Sequence, residues 1–134
     1  MPLAFKRLAL PLLLSALAAC TPMAPPPSAD ADRLLVYFDE FSADLSPDAQ
    51  RTIADAGKRA RDISARRIRI EGRASATGSL EANKRLAETR TQVVADELMK
   101  DGVPKPVIWQ VPIGQTGSGD PGIFERRVDL VLER

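Results

Sequence analysis

A strict two-residue alternation in the middle of the chain limits the possible fold more than any other feature of the sequence. Between Arg67 and Arg73, Ile68 and Ile70 alternate with charged residues. Successive side chains of a β-strand point to opposite faces of its sheet, so this pattern predicts a strand with one apolar and one charged face. The apolar face has to be covered by another layer of secondary structure.

Two helices are predicted, one on each side of this strand. The first begins at Ser46-Pro47-Asp48, which puts a serine at the N-cap, a proline at the first helical position and an acid in the first turn. Its apolar stripe consists of Ile53, Ala56, Ala60 and Ile63. The second is predicted from Ser79 to Asp101, before a stop at Gly102. Its apolar face consists of Leu86, Val93, Val94 and Leu98.

Three further segments complete the predicted sheet. The continuous apolar run Leu34–Phe38 predicts a buried strand, Val107–Ile113 predicts a third strand, and an alternation over residues 128–132 predicts the last. A glycine-rich loop, Gly114–Gly122, separates the last two strands. The element order is therefore β-α-β-α-β-β. It predicts an α+β sandwich in which the helices pack on one face of a small mixed sheet.

The first residues of the chain have the pattern of an export signal. Lys6 and Arg7 precede an apolar stretch from Leu8 to Ala19, which ends in small residues. A membrane-spanning helix is excluded, because this short stretch cannot cross roughly 30 Å of hydrocarbon. We therefore expect residues 1–19 to form a signal peptide.

The single cysteine of the chain stands directly after this segment. Leu17-Ala18-Ala19-Cys20 resembles the bacterial lipobox, which implies cleavage before Cys20 and acylation of that residue. Thr21 follows, and in this class of lipoprotein such a residue implies sorting to the outer membrane. The alternative is an ordinary signal peptide with a free thiol. The proline-rich residues 20–33 predict an extended tether, and residues 34–134 are expected to form one domain.

The composition excludes several classes of function. Nineteen Lys and Arg stand against 18 Asp and Glu, so no basic excess indicates nucleic acid as a partner. There is no histidine, so a Ser-His-Asp triad or a His/Cys zinc site lacks its components. Gly117–Gly122 fits the string Gly-x-Gly-x-x-Gly, but a strand is predicted after it and not the helix that a dinucleotide motif opens. We therefore expect no catalysis and no cofactor.

Three segments of the predicted domain carry specific residue patterns. Gly72–Gly78 reads GRASATG, Asn83–Arg90 reads NKRLAETR, and Glu125–Asp129 reads ERRVD. They resemble Gly-x-Thr-Asp-x-x-Gly, Asn-x-x-Leu-Ser-x-x-Arg and Asn-Arg-Arg-Val-Glu of the OmpA C-terminal-like domain, which OmpA, Pal and MotB share. The first two match with ungapped spacing. The resemblance runs from about Val36 to Leu132 and implies the same fold.

The resemblance also implies a ligand and the residues that bind it. The family binds diaminopimelate in the stem peptide of peptidoglycan, with an aspartate for its ammonium and the helix arginine for its carboxylate. Arg90 retains the arginine, which suits a carboxylate because its planar fork makes two parallel bonds. Ser75 replaces the aspartate, and Arg73 adds a positive charge nearby. The ligand-binding residues implied in this chain are Arg90, Ser75, Asn83, Arg73 and Arg126.

The serine is expected to weaken the interaction. A hydrogen bond to a charged group contributes about 1.5–3 kcal/mol, against about 0.5–1.5 kcal/mol for a neutral pair. A loss of about 1–2 kcal/mol lowers affinity roughly five- to thirtyfold. Glu125 stands in place of the closing asparagine and compensates in part if it faces the ligand.

Two functions follow from these patterns. The first is an outer-membrane lipoprotein whose periplasmic domain binds peptidoglycan non-covalently, with outer-membrane lipid as a second partner through acylated Cys20. The second is an interaction module of an envelope or secretion assembly, which has kept the fold, contacts other envelope proteins and no longer binds peptidoglycan.

Overall fold

The computed structural model describes residues 32–116 and 122–134. The strands are β1 Arg33–Tyr37, β2 Arg67–Ala74, β3 Ile108–Gln115 and β4 Arg127–Glu133. The helices are α1 Pro47–Asp62 and α2 Leu80–Lys100, and two short 3-10 turns span Lys105–Val107 and Ile123–Glu125. The predicted signal peptide, nearly all of the predicted tether and most of the glycine-rich loop lie outside these ranges. No helix within them is long and apolar enough to cross a membrane.

The four strands form one mixed sheet in the order β1-β4-β2-β3. β4 runs antiparallel to both of its neighbours, whereas β2 and β3 are parallel, because α2 carries the chain from one to the other. Both helices contribute to one core on the same face of the sheet. The predicted α+β fold and the order of its elements are therefore confirmed.

Both helices begin where the sequence predicts. The Ser46 hydroxyl accepts a hydrogen bond from the Ala49 amide at 3.1 Å, and the Ser79 hydroxyl accepts one from the Ala82 amide at 3.1 Å. Each serine satisfies an amide that has no partner inside its helix. After α2, Gly102 takes a φ of +91°, a left-handed conformation that glycine adopts without steric cost.

The core lies between the helices and one face of the sheet. The apolar residues at alternate positions of β2 and β4 face the helices, as the two-residue period requires, whereas Val131 lies on the other face with the charged residues. The buried residues of this layer include Ile68, Ile70, Val128, Leu130 and Leu132 from the sheet and Ile53, Ala56, Val94 and Leu98 from the helices. The four helix residues belong to the apolar stripes that the sequence predicts for α1 and α2.

The prediction of a buried strand for Leu34–Phe38 was wrong in one respect. β1 lies at the edge of the sheet and pairs only with β4. Val36 faces the core, while Leu35 and Tyr37 are 37% and 36% exposed on the opposite face. A run of apolar residues fits both a central and an edge strand, because strand pairing depends on residues far away in the sequence.

The face of the sheet away from the helices carries a network of ion pairs. Asp129 is fully buried there, and its carboxylate accepts hydrogen bonds from Arg33 at 2.8 Å and from Arg127 at 2.7 Å. Its neighbour across the strands is Glu71, which lies 3.0 Å from Arg69. Two adjacent acids are stable at this position because arginines surround them.

The loops at one end of the sheet converge. β1 ends where β4 begins, with Tyr37 opposite Arg127, and β2 ends beside β3, with Ala74 opposite Gln115. The segment after β1, the segment after β2 and the 3-10 turn before β4 therefore lie together with the first half of α2. We call this end of the domain the site end.

Candidate ligand-binding site

Arg90 occupies the centre of the site end and has no exposed surface. Its Nε donates to the Ser42 carbonyl at 2.8 Å, and its Nη2 donates to the Asp39 carbonyl at 2.9 Å. Its Nη1 donates to the Arg73 carbonyl at 3.0 Å, and the guanidinium lies 5.0 Å from the centre of the Phe38 ring. One guanidinium thus joins α2 to the segment after β1 and to the end of β2.

A second arginine, Arg126, acts electrostatically on Arg90. Burial lowers the pKa of Arg90 to about 10, and the positive charge of Arg126 acts in the same direction. Arg90 therefore stays protonated at neutral pH. Within residues 32–116 and 122–134 neither arginine is ion-paired, and the buried Nε of Arg126 has no hydrogen-bond partner. Two arginines without an ion pair among the described residues favour an anionic ligand.

Ser75 and Asn83 are both buried at the site end. Ser75 follows β2 directly and is 6% exposed. The Asn83 amide nitrogen donates to the Gln115 side-chain oxygen at 3.3 Å, which links α2 to the end of β3. Asn83 thus has a structural partner in the protein, and Ser75 lies two residues beyond the carbonyl that Arg90 binds.

The side chain of Arg73 lies on the other face of the sheet. It is 3.5 Å from Glu71 and 3.7 Å from Asp129, within the ion-pair network. Only its carbonyl belongs to the site end. The adjacent residues Arg126 and Arg127 interact with different parts of the domain. Arg127 bonds to Asp129 on the outer face of the sheet, whereas the charge of Arg126 acts on Arg90.

Several features of the site end have no counterpart in the sequence prediction. The acceptors for Arg90 are backbone carbonyls, which any residue supplies, so no residue type marks them. Phe41 adopts a positive φ of 55° and is 67% exposed. The Thr116 hydroxyl is buried without a hydrogen-bond partner at the end of β3. Large apolar residues that are more than half exposed also gather on the segments of this end: Phe41, Leu80, Ile123 and Phe124.

The chemistry available at the site end is recognition by charge, hydrogen bonding and apolar contact. Among the described residues no group of three His, Cys, Asp or Glu side chains is arranged to hold a metal ion. The site end offers a partly exposed cation at Arg126, a buried Thr116 hydroxyl without a hydrogen-bond partner, and exposed apolar side chains. These groups suit a small polar ligand with at least one carboxylate.

Comparison with known proteins identifies related sequences and folds. The model of the OmpA family matches residues 37–122. The peptidoglycan-associated lipoprotein of Burkholderia pseudomallei has a similar structure, with a TM-score of 0.66 and 24% identity over 75% of this chain and 90% of that one. The OmpA-like domain of FopA1 from Francisella tularensis gives a TM-score of 0.64 and 22% identity, over 73% and 69% of the two chains. The C-terminal domain of Helicobacter pylori MotB gives 0.64 and 20%, over 75% and 84%.

Proposed function

The chain belongs to the OmpA family, and from this premise we propose that it binds peptidoglycan non-covalently at the site end. One of the similar structures is by name a peptidoglycan-associated lipoprotein. The observation that carries the proposal is the pair of cations, Arg90 and Arg126, which lies without an ion-paired carboxylate in the described part of the chain. A stem peptide that contains diaminopimelate supplies the missing carboxylate.

The two arginines contribute in different ways. Arg126 is partly exposed, so it is the cation that a ligand carboxylate reaches directly, and its buried Nε has no hydrogen-bond partner among the described residues. Arg90 is enclosed by the protein, and its charge adds to the positive potential that the carboxylate meets. In low-dielectric surroundings such a charge acts over several ångströms. The Ser75 hydroxyl accepts a hydrogen bond from the ligand ammonium but supplies no countercharge.

Restoring an acid at position 75 should strengthen the interaction. The Ser75→Asp variant supplies the countercharge for the ammonium, and we expect its affinity to rise roughly five- to thirtyfold, which corresponds to about 1–2 kcal/mol. Affinity is measured by co-sedimentation of the chain from Thr21 onward with isolated sacculi. This chain contains every helix and strand of the described structure.

The control puts the same charge at the other end of the sheet. Ser64 precedes β2, has a φ of 53° that aspartate tolerates, and is exposed. Ser64→Asp should leave sedimentation unchanged. Sacculi whose stem peptides carry lysine in place of diaminopimelate lack the second carboxylate and should retain less protein.

Wild-type protein that stays in the supernatant while Ser75→Asp sediments would show that the natural chain has lost this ligand. That outcome would favour the second function, an interaction module of an envelope assembly.

We further propose that the domain is held at the outer membrane, in the periplasm, by acylation of Cys20 after cleavage of residues 1–19. The basic start, the apolar stretch and the lipobox-like motif support this location. Several acyl chains on one residue hold a protein stably, whereas a single chain binds only marginally.

Replacement of the cysteine should release the protein. A Cys20→Ser variant of the full chain is expected to move from the membrane fraction to the soluble periplasmic fraction and to lose incorporation of labelled palmitate. Immunoblots of separated membranes and the label in the purified protein measure the two effects. Unchanged membrane retention without label would reject the lipid anchor.

A further inference from the structure

Phe41 has an unfavourable backbone conformation for its residue type. Its φ of 55° lies in the left-handed region, where a bulky side chain crowds its own backbone. Burial does not compensate for this crowding, since the side chain is 67% exposed. Strained residues persist only where the surrounding structure holds them, and they cluster at sites that bind or react.

The group that holds this turn is the buried guanidinium of Arg90. It bonds to the carbonyl of Asp39 on one side of Phe41 and to the carbonyl of Ser42 on the other, at 2.9 and 2.8 Å. The Ser42 amide also donates to the Asp39 carbonyl at 3.2 Å, which closes the turn. The Ser42 hydroxyl in turn accepts from the Asp44 amide at 2.9 Å. The left-handed residue is thus enclosed by bonds on both sides.

The ring is held beside the segment that follows β2. Its Cε1 atom lies 4.0 Å from the place where a Cβ on Gly78 would stand. Gly78 and Ser75 belong to the same short segment, so the ring borders the part of the site end that we propose contacts the ligand ammonium.

We infer that Phe41 is a ligand-contact residue of this site and that Arg90 is the residue that positions it. The inference rests on the proposed function. The ring packs against the methyl and methylene groups of a peptidoglycan stem peptide, and the carboxylate and ammonium of that peptide reach Arg126 and Ser75. An apolar contact of this kind requires a ring that is already exposed and fixed, because ordering it on binding would reduce the affinity.

The test uses two measurements that should change in opposite directions. Asparagine tolerates the left-handed region, so Phe41→Asn should raise the melting temperature by about 4 °C or more. The same variant loses the ring, and its affinity for sacculi should fall about tenfold. Phe41→Tyr keeps both the ring and the strain, so its affinity should fall less than that of Phe41→Asn and its melting temperature should not rise. Trp109→Asn removes an exposed aromatic residue from the outer sheet face and should also bind like the wild type.

The outcomes separate this inference from the proposed function. If wild-type protein does not sediment with sacculi, both are wrong. If it sediments and Phe41→Asn sediments equally well, peptidoglycan binding stands and the contact at Phe41 is refuted. If Phe41→Asn melts at a lower temperature than the wild type, the strained turn is refuted. A phenylalanine that only stabilises the fold would lower the melting temperature when it is replaced.

Discussion

Replacing Arg90 with methionine should lower the free energy of unfolding by about 3–5 kcal/mol. Methionine fills part of the volume but removes the guanidinium donor from the carbonyls of Asp39, Ser42 and Arg73. The Asp39 carbonyl keeps one bond at 3.2 Å, from the Ser42 amide. Each buried polar group that loses its partner costs about 1–3 kcal/mol. Relief from burying a charge offsets part of the total. Urea denaturation of the chain from Thr21 onward measures the difference.

Two further variants show whether the geometry of the guanidinium or its charge is responsible. Arg90→Lys keeps the charge, but a compact ammonium cannot span three carbonyls in a fixed plane, so we expect a loss of about 2 kcal/mol or more. Arg85→Met changes an exposed arginine of the same helix that pairs with Glu81, and should cost about 0.5 kcal/mol or less. If Arg90→Met and Arg85→Met lower the free energy of unfolding equally, the three hydrogen bonds of Arg90 do not stabilise the domain as we expect.

Adding a single methyl group at Gly72 should destabilise the domain almost as much as Arg90→Met does. A Cβ at this position would lie 2.5 Å from Thr91 Cγ2 and 2.6 Å from the carbonyl oxygen of Ala87. The second atom belongs to the backbone of α2, so the helix and β2 have to move apart. Gly72→Ala should therefore destabilise the domain by about 2–3 kcal/mol, measured by the same denaturation experiment.

The chain offers matched controls for this variant. Thr91→Ser removes the methyl and retains the hydroxyl that donates to the Glu88 carbonyl. Combined with Gly72→Ala, it should recover only part of the loss, because the contact with the Ala87 oxygen persists. Gly57 is a buried glycine within α1 whose added Cβ would lie 3.3 Å from a Val103 methyl. Gly57→Ala should change the stability by about 1 kcal/mol or less, since helix propensity offsets the tight contact. If the Gly72→Ala protein is as stable as the Gly57→Ala protein, α2 can move away from β2 at little cost and the predicted steric clash is refuted.

The elements with local signals could be predicted from the sequence. Ser46-Pro47 marks the start of α1 through a cap and a proline that act within one turn. The alternation around Ile68 and Ile70 marks β2 and correctly identifies its buried face. The same alternation also assigns Arg73 to the charged face with Arg67 and Arg69, which is where its ion pairs lie. Only the motif resemblance implies a ligand-binding role for Arg73.

The remaining features depend on contacts between distant residues. The edge position of β1 results from its pairing with β4, and a run of apolar residues does not show which neighbour a strand will have. The enclosure of Arg90 depends on backbone carbonyls 48 and 51 residues away in the sequence. The turn at Phe41 has no local signal, because glycine and asparagine are the residues that usually mark a left-handed position.

The strand order has a consequence for how the chain acquires its structure during synthesis. β4 lies between β1 and β2, so the first strand of the domain has no partner until the last strand is available. Their pairing joins residues such as Leu34 and Leu130, which lie almost a full domain length apart. A nascent chain that still lacks its C-terminal residues holds only the parallel pair β2–β3 and two helices without a complete core. We therefore expect the chain to stay unfolded until β4 has emerged, and an unfolded chain can pass through a narrow channel.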